Sequence, residues 1–322
     1  MVNNNAKDRA LNMENPLVSI IVVTYNSAEY VVETLESAKG QTYKNIELIV
    51  SDDCSTDNTV EICHNWVKEN KVRFVRTEVI TVDENSGVAP NCNRGIFSSK
   101  GKWMKLIAGD DILLNDCINL NLLHVKDSKD SFFFSTMRLS IENKEREEYY
   151  QKGFEIFNNE KNQLRSLLVQ NYLPAPTAFF RREALIELGG YDENYPMFDD
   201  YPLWIKAVKN NYKIIYNDFE SVIYRIHDDA LSTNDSPSRT RFFFRNISFQ
   251  KSKYLFRKEI LLKEQLAHYL LIRAFNLAIE MLQFKVVILF NNKYNFLSAF
   301  IFNLLYLLKP SFYYKLLIRI IR

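Results

Sequence analysis

The four cysteines of this 322-residue chain, Cys54, Cys63, Cys92 and Cys117, form no C-x-x-C pair, and no histidine stands at zinc-finger spacing from them. They read as buried free thiols of a reducing compartment. The opening MVNNNAKDRALNMEN has no apolar core segment, so no secretory signal is expected. The longest late uncharged run, Tyr294–Leu308, contains Asn295, Ser298 and Asn303 and falls short of the ~20 apolar residues a spanning helix needs. Internal repeats and low-complexity tracts are missing too. No G-x-x-x-x-G-K-[ST] loop is present, which argues against a kinase or ATPase of that type. No G-x-G-x-x-G follows the first apolar run, which argues against a dinucleotide dehydrogenase.

What is present fits one large domain with an appendage. Hydrophobic residues at 47% and charged residues at 25% match an ordinary folded soluble protein. The net charge of +2 hides an asymmetry. Residues 241–322 carry 14 Lys+Arg against 3 Asp+Glu, a balance of +11, leaving 27 against 36, or −9, for residues 1–240. The basic stretch is also aromatic and leucine-rich, as in FLSAFIFNLLYLLK and FYYKLLIRIIR. Basic amphipathic helices of this kind lie on anionic lipid surfaces. Packing on the body of the protein, or on a second copy in a homodimer, is the alternative. No nucleic-acid motif accompanies the charge, so no nucleic acid is expected as partner.

Leu17–Thr24 (LVSIIVVT) is a short β-branched apolar run, the pattern of a strand buried on both faces. Asn26 and Ser27 offer helix-capping chemistry before a helix with Val31, Leu35 and Ala38 on one stripe. Ile46–Ser51 is a second buried strand. A helix opened by Ser55, Thr56 and Asp57 follows, with Asp57 as its cap, then a third strand at Val72–Arg76. Gly87–Ser99 reads as a helix and Lys102–Ile107 as the next strand. This alternation argues an α/β domain with a parallel core. Phe132–Ser140 reads as a strand, Glu142–Tyr150 as a charged loop or helix and Asn162–Gln170 as a helix. Arg182–Leu188 reads as a helix stopped by Gly189-Gly190. Tyr201–Lys209 reads as a helix, residues 213–227 as two short strands, and the chain beyond about 240 as helical.

Ligands of open α/β sheets bind beyond the carboxyl ends of the strands. Two acidic pairs fall there, Asp52-Asp53 and Asp110-Asp111. Adjacent carboxylates are costly unless a cation joins them. Oxygen ligands of this kind suit Mg2+ or Mn2+, which leaves a nucleoside diphosphate held by metal and carboxylates as the ligand class.

Four segments in this order resemble family 2 glycosyltransferases, inverting enzymes of GT-A fold. They are SIIVVTYNSAEYVVETLESAKGQTYKNIELIVSDDCSTDNT, ENSGVAPNCNRGIFSSKGKWMKLIAGDD, GGYDENYPMFDDYPLWIKA and YRIHDDALS. Together they cover Val18 to Ser232, about two thirds of the chain. The resemblance implies a GT-A type nucleotide-diphospho-sugar transferase fold with a mainly parallel central sheet, followed by an α-helical C-terminal region. It divides the chain into a flexible segment 1–15, a catalytic domain 16–238 and a basic, aromatic helical region 239–322.

The resemblance also assigns roles. Thr24, Tyr25 and the first acid of the Asp52-Asp53 pair would hold the nucleotide base, Asp52 being able to accept the N3–H of uracil, with Asp53 counted among the nucleotide-binding residues. Asn85, Gly87 and Asn93 would line the nucleotide side, and Arg94 either touches phosphate or forms a structural ion pair. Asp110 and Asp111 match the metal motif, with Ala108 replacing its usual first acid. His227, next but one to Arg225, is a candidate metal or diphosphate contact, whereas His64, His124 and His268 lack such a context. Asp200, with Asp199 beside it, would be the base that takes the proton of the acceptor hydroxyl. The alternative for this pair is capping of the helix that carries Trp204. Trp204 itself reads as core, with a sugar-facing role as the other option.

The expected activity is transfer of a sugar, from a UDP-sugar with Mn2+ or Mg2+, to a glycan or lipid-linked acceptor in cell-surface polysaccharide assembly. The expected place is peripheral, on the cytoplasmic face of the inner membrane. A sugar-1-phosphate nucleotidylyltransferase is the second reading, opposed by TYNSAEY where that class has a Gly-rich, Arg-bearing loop. A non-catalytic membrane-associated scaffold of the same fold is the third, supported by Ala108.

Overall fold

The computed structural model describes residues 15–125, 128–141, 144–146, 163–164, 167, 171, 173–196, 199–227 and 282. Four strands form the parallel half of one sheet: β1 (Val18–Thr24), β2 (Ile46–Asp52), β3 (Arg76–Ile80) and β4 (Trp103–Ala108). Between them run helices α1 (Val31–Lys39), α2 (Thr59–Asn70) and α3 (Val88–Ser98). The second half contains β5 (Ile112–Leu113), α4 (Cys117–Val125), β6 (Phe132–Ile141), β7 (Lys144–Arg146), β8 (Phe179–Arg181), α5 (Arg182–Glu187), α6 (Asp200–Lys209) and β9 (Ile214–Ile226). The described strands make one nine-stranded sheet in the order β3-β2-β1-β4-β8-β6-β9-β5, with β7 on β6. β4 to β8 and β8 to β6 are antiparallel, and β6 to β9 is parallel again.

Successive side chains on a strand point to opposite faces, and both faces here are covered. Ile21, Ile49, Met104, Leu106, Phe134 and Phe180 pack under α3, α5 and α6. Ile20, Val22, Leu48, Val50, Ile107 and Phe179 pack on the other side with Leu35 of α1 and Trp66 of α2. Each such side chain, fully buried, contributes roughly 1.5–3 kcal/mol. Trp204 is fully buried against Phe134 and Phe180, so it belongs to the core and does not face a sugar.

Register places the chemistry. Thr24 pairs with Asp52 and Val23 with Ala108, so β1, β2 and β4 end together. The order β3-β2-β1-β4 changes direction of winding between β1 and β4, which opens a crevice at their carboxyl ends.

Four local expectations are corrected. The stretch Glu142–Tyr150, expected as a charged loop or helix, contains strand β7 at Lys144–Arg146, paired antiparallel with β6. Residues 71–73 form a 3-10 turn and the third strand begins only at Arg76. The cause is Arg73, which donates to the carbonyls of Lys39, Gln41, Tyr43 and Lys44 and leaves Val72 92% exposed. Asn26 and Ser27 do not cap α1, whose N-cap is Tyr30. Asn26 sits at φ 50° and its side chain instead accepts from the Thr56 N–H at 2.8 Å. Residues 213–227 form the single strand β9, because irregularities opposite Phe134–Met137 of β6 let the pairing continue. Of the helix expected at Asn162–Gln170, only Gln163, Leu164 and Leu167 are described, all helical. The segment 1–15 lies outside the described residues but for Asn15, and the region 239–322 but for Leu282.

Candidate active site

Asp52 ends β2 at 1% exposure. Its Oδ2 accepts from the Thr24 hydroxyl at 2.8 Å and the Ser55 hydroxyl at 2.5 Å, and its Oδ1 accepts from the Ser55 N–H at 2.8 Å. A carboxylate oxygen takes two hydrogen bonds, so Oδ1 keeps one lone pair for a ligand N–H. Tyr25, one residue past β1, is 50% exposed beside it.

Asp53 turns the other way. Its carboxylate accepts from the Ser86 N–H, the Gly87 N–H at 2.7 Å, the Ser86 hydroxyl at 2.7 Å and Arg94 at 2.5 Å. The Asn85 amide donates to the Asp53 carbonyl at 3.0 Å. Burial pushes the Asp53 pKa up, but bonds from Ser86, Arg94 and Gly87 outweigh it and hold the group below the usual range. Arg94 is thus the structural ion pair of the two options. Gly87 is needed for a reason other than a nucleotide. At φ +100° it lies so close to Pro196 that a Cβ would sit 2.7 Å from the Pro196 carbonyl oxygen. Asn93 is buried, and its amide bonds Tyr191 in both directions, at 2.8 and 3.0 Å, and Glu193. It is a brace for the chain after Gly189-Gly190, which departs from the nucleotide-lining expectation.

The Asp110-Asp111 pair splits in the same manner. Asp110 is partly exposed, and its Oδ2 lies 3.0 Å from His227 Nε2. Asp111 is fully buried. Its Oδ1 accepts from the Arg225 N–H at 2.9 Å, and its Oδ2 has no hydrogen-bond partner. Burial, then the Asp110 charge, pushes the Asp111 pKa well up. Asp111 is thus anchored to β9 through one oxygen, and its other oxygen is left without a partner. Behind it, the buried amine of Lys105 donates to the Pro176 and Ala178 carbonyls and ties that segment to β4.

Asp199 and Asp200 open α6. Pro196, just before them, accepts from the Ala89 N–H at 3.0 Å, which brings this end of the chain to the start of α3. The Cys92 thiol on α3 feels both Asp199 and Asp53. Asp200 Oδ2 accepts from the Asn171 amide at 2.8 Å, and its Oδ1 from the Tyr201 N–H at 2.6 Å. Burial raises the Asp200 pKa, while the Asn171 amide and the Tyr201 N–H favour its charged form. Burial and then the Asp200 charge push Asp199 to about 7. Asp199 makes no side-chain cap bond to α6, whereas Asp200 accepts from the Tyr201 N–H in the first turn of that helix. Asn171 went unmarked in the sequence, where a lone Asn ahead of Pro174 carries no periodicity or motif.

Among the described residues, no group of three or more His, Cys, Asp or Glu gathers as a metal cage. A hard divalent cation does not require one, since one or two protein ligands plus phosphate oxygens and water complete its shell. Asp110 supplies a carboxylate oxygen, the donor type that suits Mn2+ or Mg2+, and His227 faces it with an imidazole nitrogen, a softer donor that fits Mg2+ less well.

The model of glycosyl transferase family 2 matches residues 19–189, more than half of the chain. The chain belongs to glycosyl transferase family 2. It is 33% identical over 232 residues to an uncharacterized glycosyltransferase of Rickettsia typhi, covering 69% of this chain and 68% of that one. It is 29% identical over 220 residues to the UDP-Glc:alpha-D-GlcNAc-diphosphoundecaprenol beta-1,3-glucosyltransferase WfaP of Escherichia coli, covering 68% of this chain and 80% of WfaP. Its fold is similar to S. aureus TarS solved with UDP-GlcNAc, with TM-score 0.55, 20% identity, and coverage of 83% and 81%. It is also similar to the mannosyltransferase PcManGT of Pyrobaculum calidifontis solved with GDP-Man and Mn2+, with TM-score 0.52, 17% identity, and coverage of 77% and 69%. The family-2 glycosyltransferase therefore has the α/β, GT-A type fold expected from its sequence.

Proposed function

We propose that this glycosyltransferase inverts the anomeric carbon, uses a UDP-sugar with Mn2+ or Mg2+, and acts on a hydroxyl of a lipid-linked or glycan acceptor in cell-surface polysaccharide assembly. The observation that carries the reading is the meeting of Asp110 and His227, 117 residues apart in sequence, at 3.0 Å beyond the carboxyl end of β4. Asp52 lies one strand-end away, across β1. WfaP, by its name, takes UDP-Glc and a diphosphoundecaprenol-linked acceptor, which supports this donor and acceptor class.

In this mechanism the free Oδ1 lone pair of Asp52 accepts the N3–H of uracil, and the exposed Tyr25 lies beside the base. Asp110 and His227 would hold the cation. When bound, that ion neutralises charge growing on the leaving group. Asp200 takes the proton from the acceptor hydroxyl as the new bond forms. Asn171 keeps the base oriented. Asp53, Ser86 and Arg94 keep the loop over α3 closed against the strand ends. The basic, aromatic region 239–322 lies on the cytoplasmic face of the inner membrane and brings the site to a lipid-linked acceptor. No helix among the described residues is long and apolar enough to cross a membrane.

The test is Asp200→Asn with UDP-GlcNAc and UDP-Glc as donors and Mn2+ present. Transfer falls at least about a thousandfold while UDP binding by calorimetry is unchanged. Full activity of this variant removes Asp200 as base. A wild-type chain that binds no UDP with Mn2+ removes the enzyme reading and leaves the scaffold.

A further inference from the structure

Helix α1 has a second stripe that the catalytic assignments leave unused. Its apolar residues Val31, Leu35 and Ala38 face the core. Tyr30, Glu33, Thr34, Ser37 and Gln41 follow the same helical period on an adjoining face and are polar, yet Thr34, Ser37 and Gln41 are buried. Each grips the chain that carries the cation-facing residues. The Thr34 hydroxyl donates to the Asp111 carbonyl at 2.7 Å, and Ser37 Oγ accepts from the Leu113 N–H at 3.1 Å. Gln41 donates to the Leu114 carbonyl at 2.8 Å and accepts from the Ile118 N–H at 3.1 Å.

The start of the stripe reaches the other arm of the site. Arg225 and His227 stand two residues apart at the end of β9, a spacing that puts both side chains on one side of a strand. Arg225 forms an ion pair with Glu33, and its guanidinium carbon lies 5.2 Å from the centroid of the Tyr30 ring. The His227 ring lies 4.7 Å from the same Tyr30 ring, tilted by 36°. His227 therefore reaches Asp110 with one edge while an aromatic face from α1 limits its rotation.

We propose that Tyr30 and Glu33 are positioning residues for the Asp110–His227 pair. The Tyr30 ring fixes the plane of the imidazole, and the Glu33–Arg225 ion pair fixes the strand end that carries it. This rests on the functional reading above. Residues that orient a ligand side chain typically change metal affinity by about 10–100-fold when removed. The ring is the working part of Tyr30, so phenylalanine replaces it.

The experiment follows Mn2+ uptake by the full chain at saturating UDP through loss of the free Mn2+ electron-spin signal, with melting curves as fold control. Expected are a roughly tenfold weaker Mn2+ affinity in Tyr30→Leu, a loss of about threefold in Glu33→Gln, and an affinity within about twofold of wild type in Tyr30→Phe. UDP binding without cation stays unchanged in all three. Wild-type affinity in a folded Tyr30→Leu overturns the proposal, as does a Tyr30→Phe as weak as Tyr30→Leu. Should Tyr30→Leu fail to fold, Glu33→Gln decides, because Glu33 is largely exposed; unchanged affinity there overturns the proposal. A wild-type chain that takes up no Mn2+ with UDP overturns the functional reading and this one together. Normal wild-type uptake with indifferent variants overturns this one alone.

Discussion

Replacing Asp199 by Asn tests the chemistry of the acidic pair through its charge. The two carboxyls are neighbours at the start of α6, both raised by burial, and Asp199 is carried further, to about 7, by the Asp200 charge. Such a pair titrates in two steps that belong to it jointly. Below about 7 the pair holds a proton, and above it both carboxylates are charged and Asp200 is the stronger base. Activity of the wild type therefore rises with pH through about 7. Burial is the larger cause of the Asp199 shift and the Asp200 charge the next. Asp199→Asn removes the repulsion between the two charges, so the acid limb of kcat/KM moves down from about 7, toward the value that burial alone leaves to Asp200. The assay is UDP release against pH at saturating Mn2+. A limb that stays near 7 refutes the assignment of this ionisation to the pair. An Asp199→Asn chain as inactive at pH 8 as Asp200→Asn reverses the two roles. Stability moves in a linked way. A carboxyl with a raised folded pKa binds its proton more tightly in the folded state, so stability falls as pH rises from about 4 to about 7. In Asp199→Asn that fall is reduced, which denaturant melts at pH 5 and pH 8 will show.

Further outcomes follow from single contacts. Arg73→Ala removes a charged donor to four carbonyls, lowers stability by about 3 kcal/mol after allowance for its exposed side, and leaves kcat/KM unchanged, read by urea melts and initial rates. Gly87→Ala meets Pro196 at φ +100° and lowers stability by about 2 kcal/mol, with transfer reduced because Pro196 leads into Asp199-Asp200. Arg94→Met takes a cation from Asp53, whose pKa is held low by Ser86, Arg94 and Gly87 against burial. A lowered carboxylate stabilises the fold above its unfolded pKa and loses that effect as pH falls through the folded value. Arg94→Met therefore flattens the fall of stability on the acid side, below about pH 4, followed by thermal melts.

The parallel half of the sheet was legible because its strands announce themselves. VSIIVVT and IELIVS are buried on both faces, and each ends where an acid or a turn begins. Side-chain bonds to distant backbone were not legible. Nothing in the residues around Val72 says that Arg73 will draw four carbonyls to itself and delay β3. Asn93 had the right type for a nucleotide contact, but its partner, Tyr191, lies 98 residues on and is set by where Gly189 and Gly190 turn the chain. The polar stripe of α1 is readable as a period, but a polar helix face ordinarily meets water, so the period alone does not mark it as buried. Here Thr34 and Gln41 are fully buried, and their partners come from the loop after Asp111.

The acidic pairs divide their labour, and the strand geometry says why. Adjacent residues leaving a strand end point to opposite sides. Asp52 keeps a lone pair toward the crevice, while Asp53 turns back and takes the N–H groups of Ser86 and Gly87. Asp110 stands partly exposed against His227, while Asp111 turns inward and takes the N–H of Arg225. In both cases the second acid pins a later segment of chain, the loop before α3 or the end of β9, to the strand whose first acid meets the ligand. Two adjacent carboxylates at a strand end thus need not mean two ligands. In the proposed mechanism one binds, and the other assembles the wall that faces it. Loss of the inward member should then mimic loss of a loop. Asp53→Asn leaves one neutral acceptor oxygen for Ser86, Gly87 and Arg94 and removes the charge that strengthens their bonds, and the loop 85–87 becomes open to proteolysis while Asp52 is untouched. If limited proteolysis of Asp53→Asn shows no new cleavage near residue 86, the carboxylate is not what holds that wall in place.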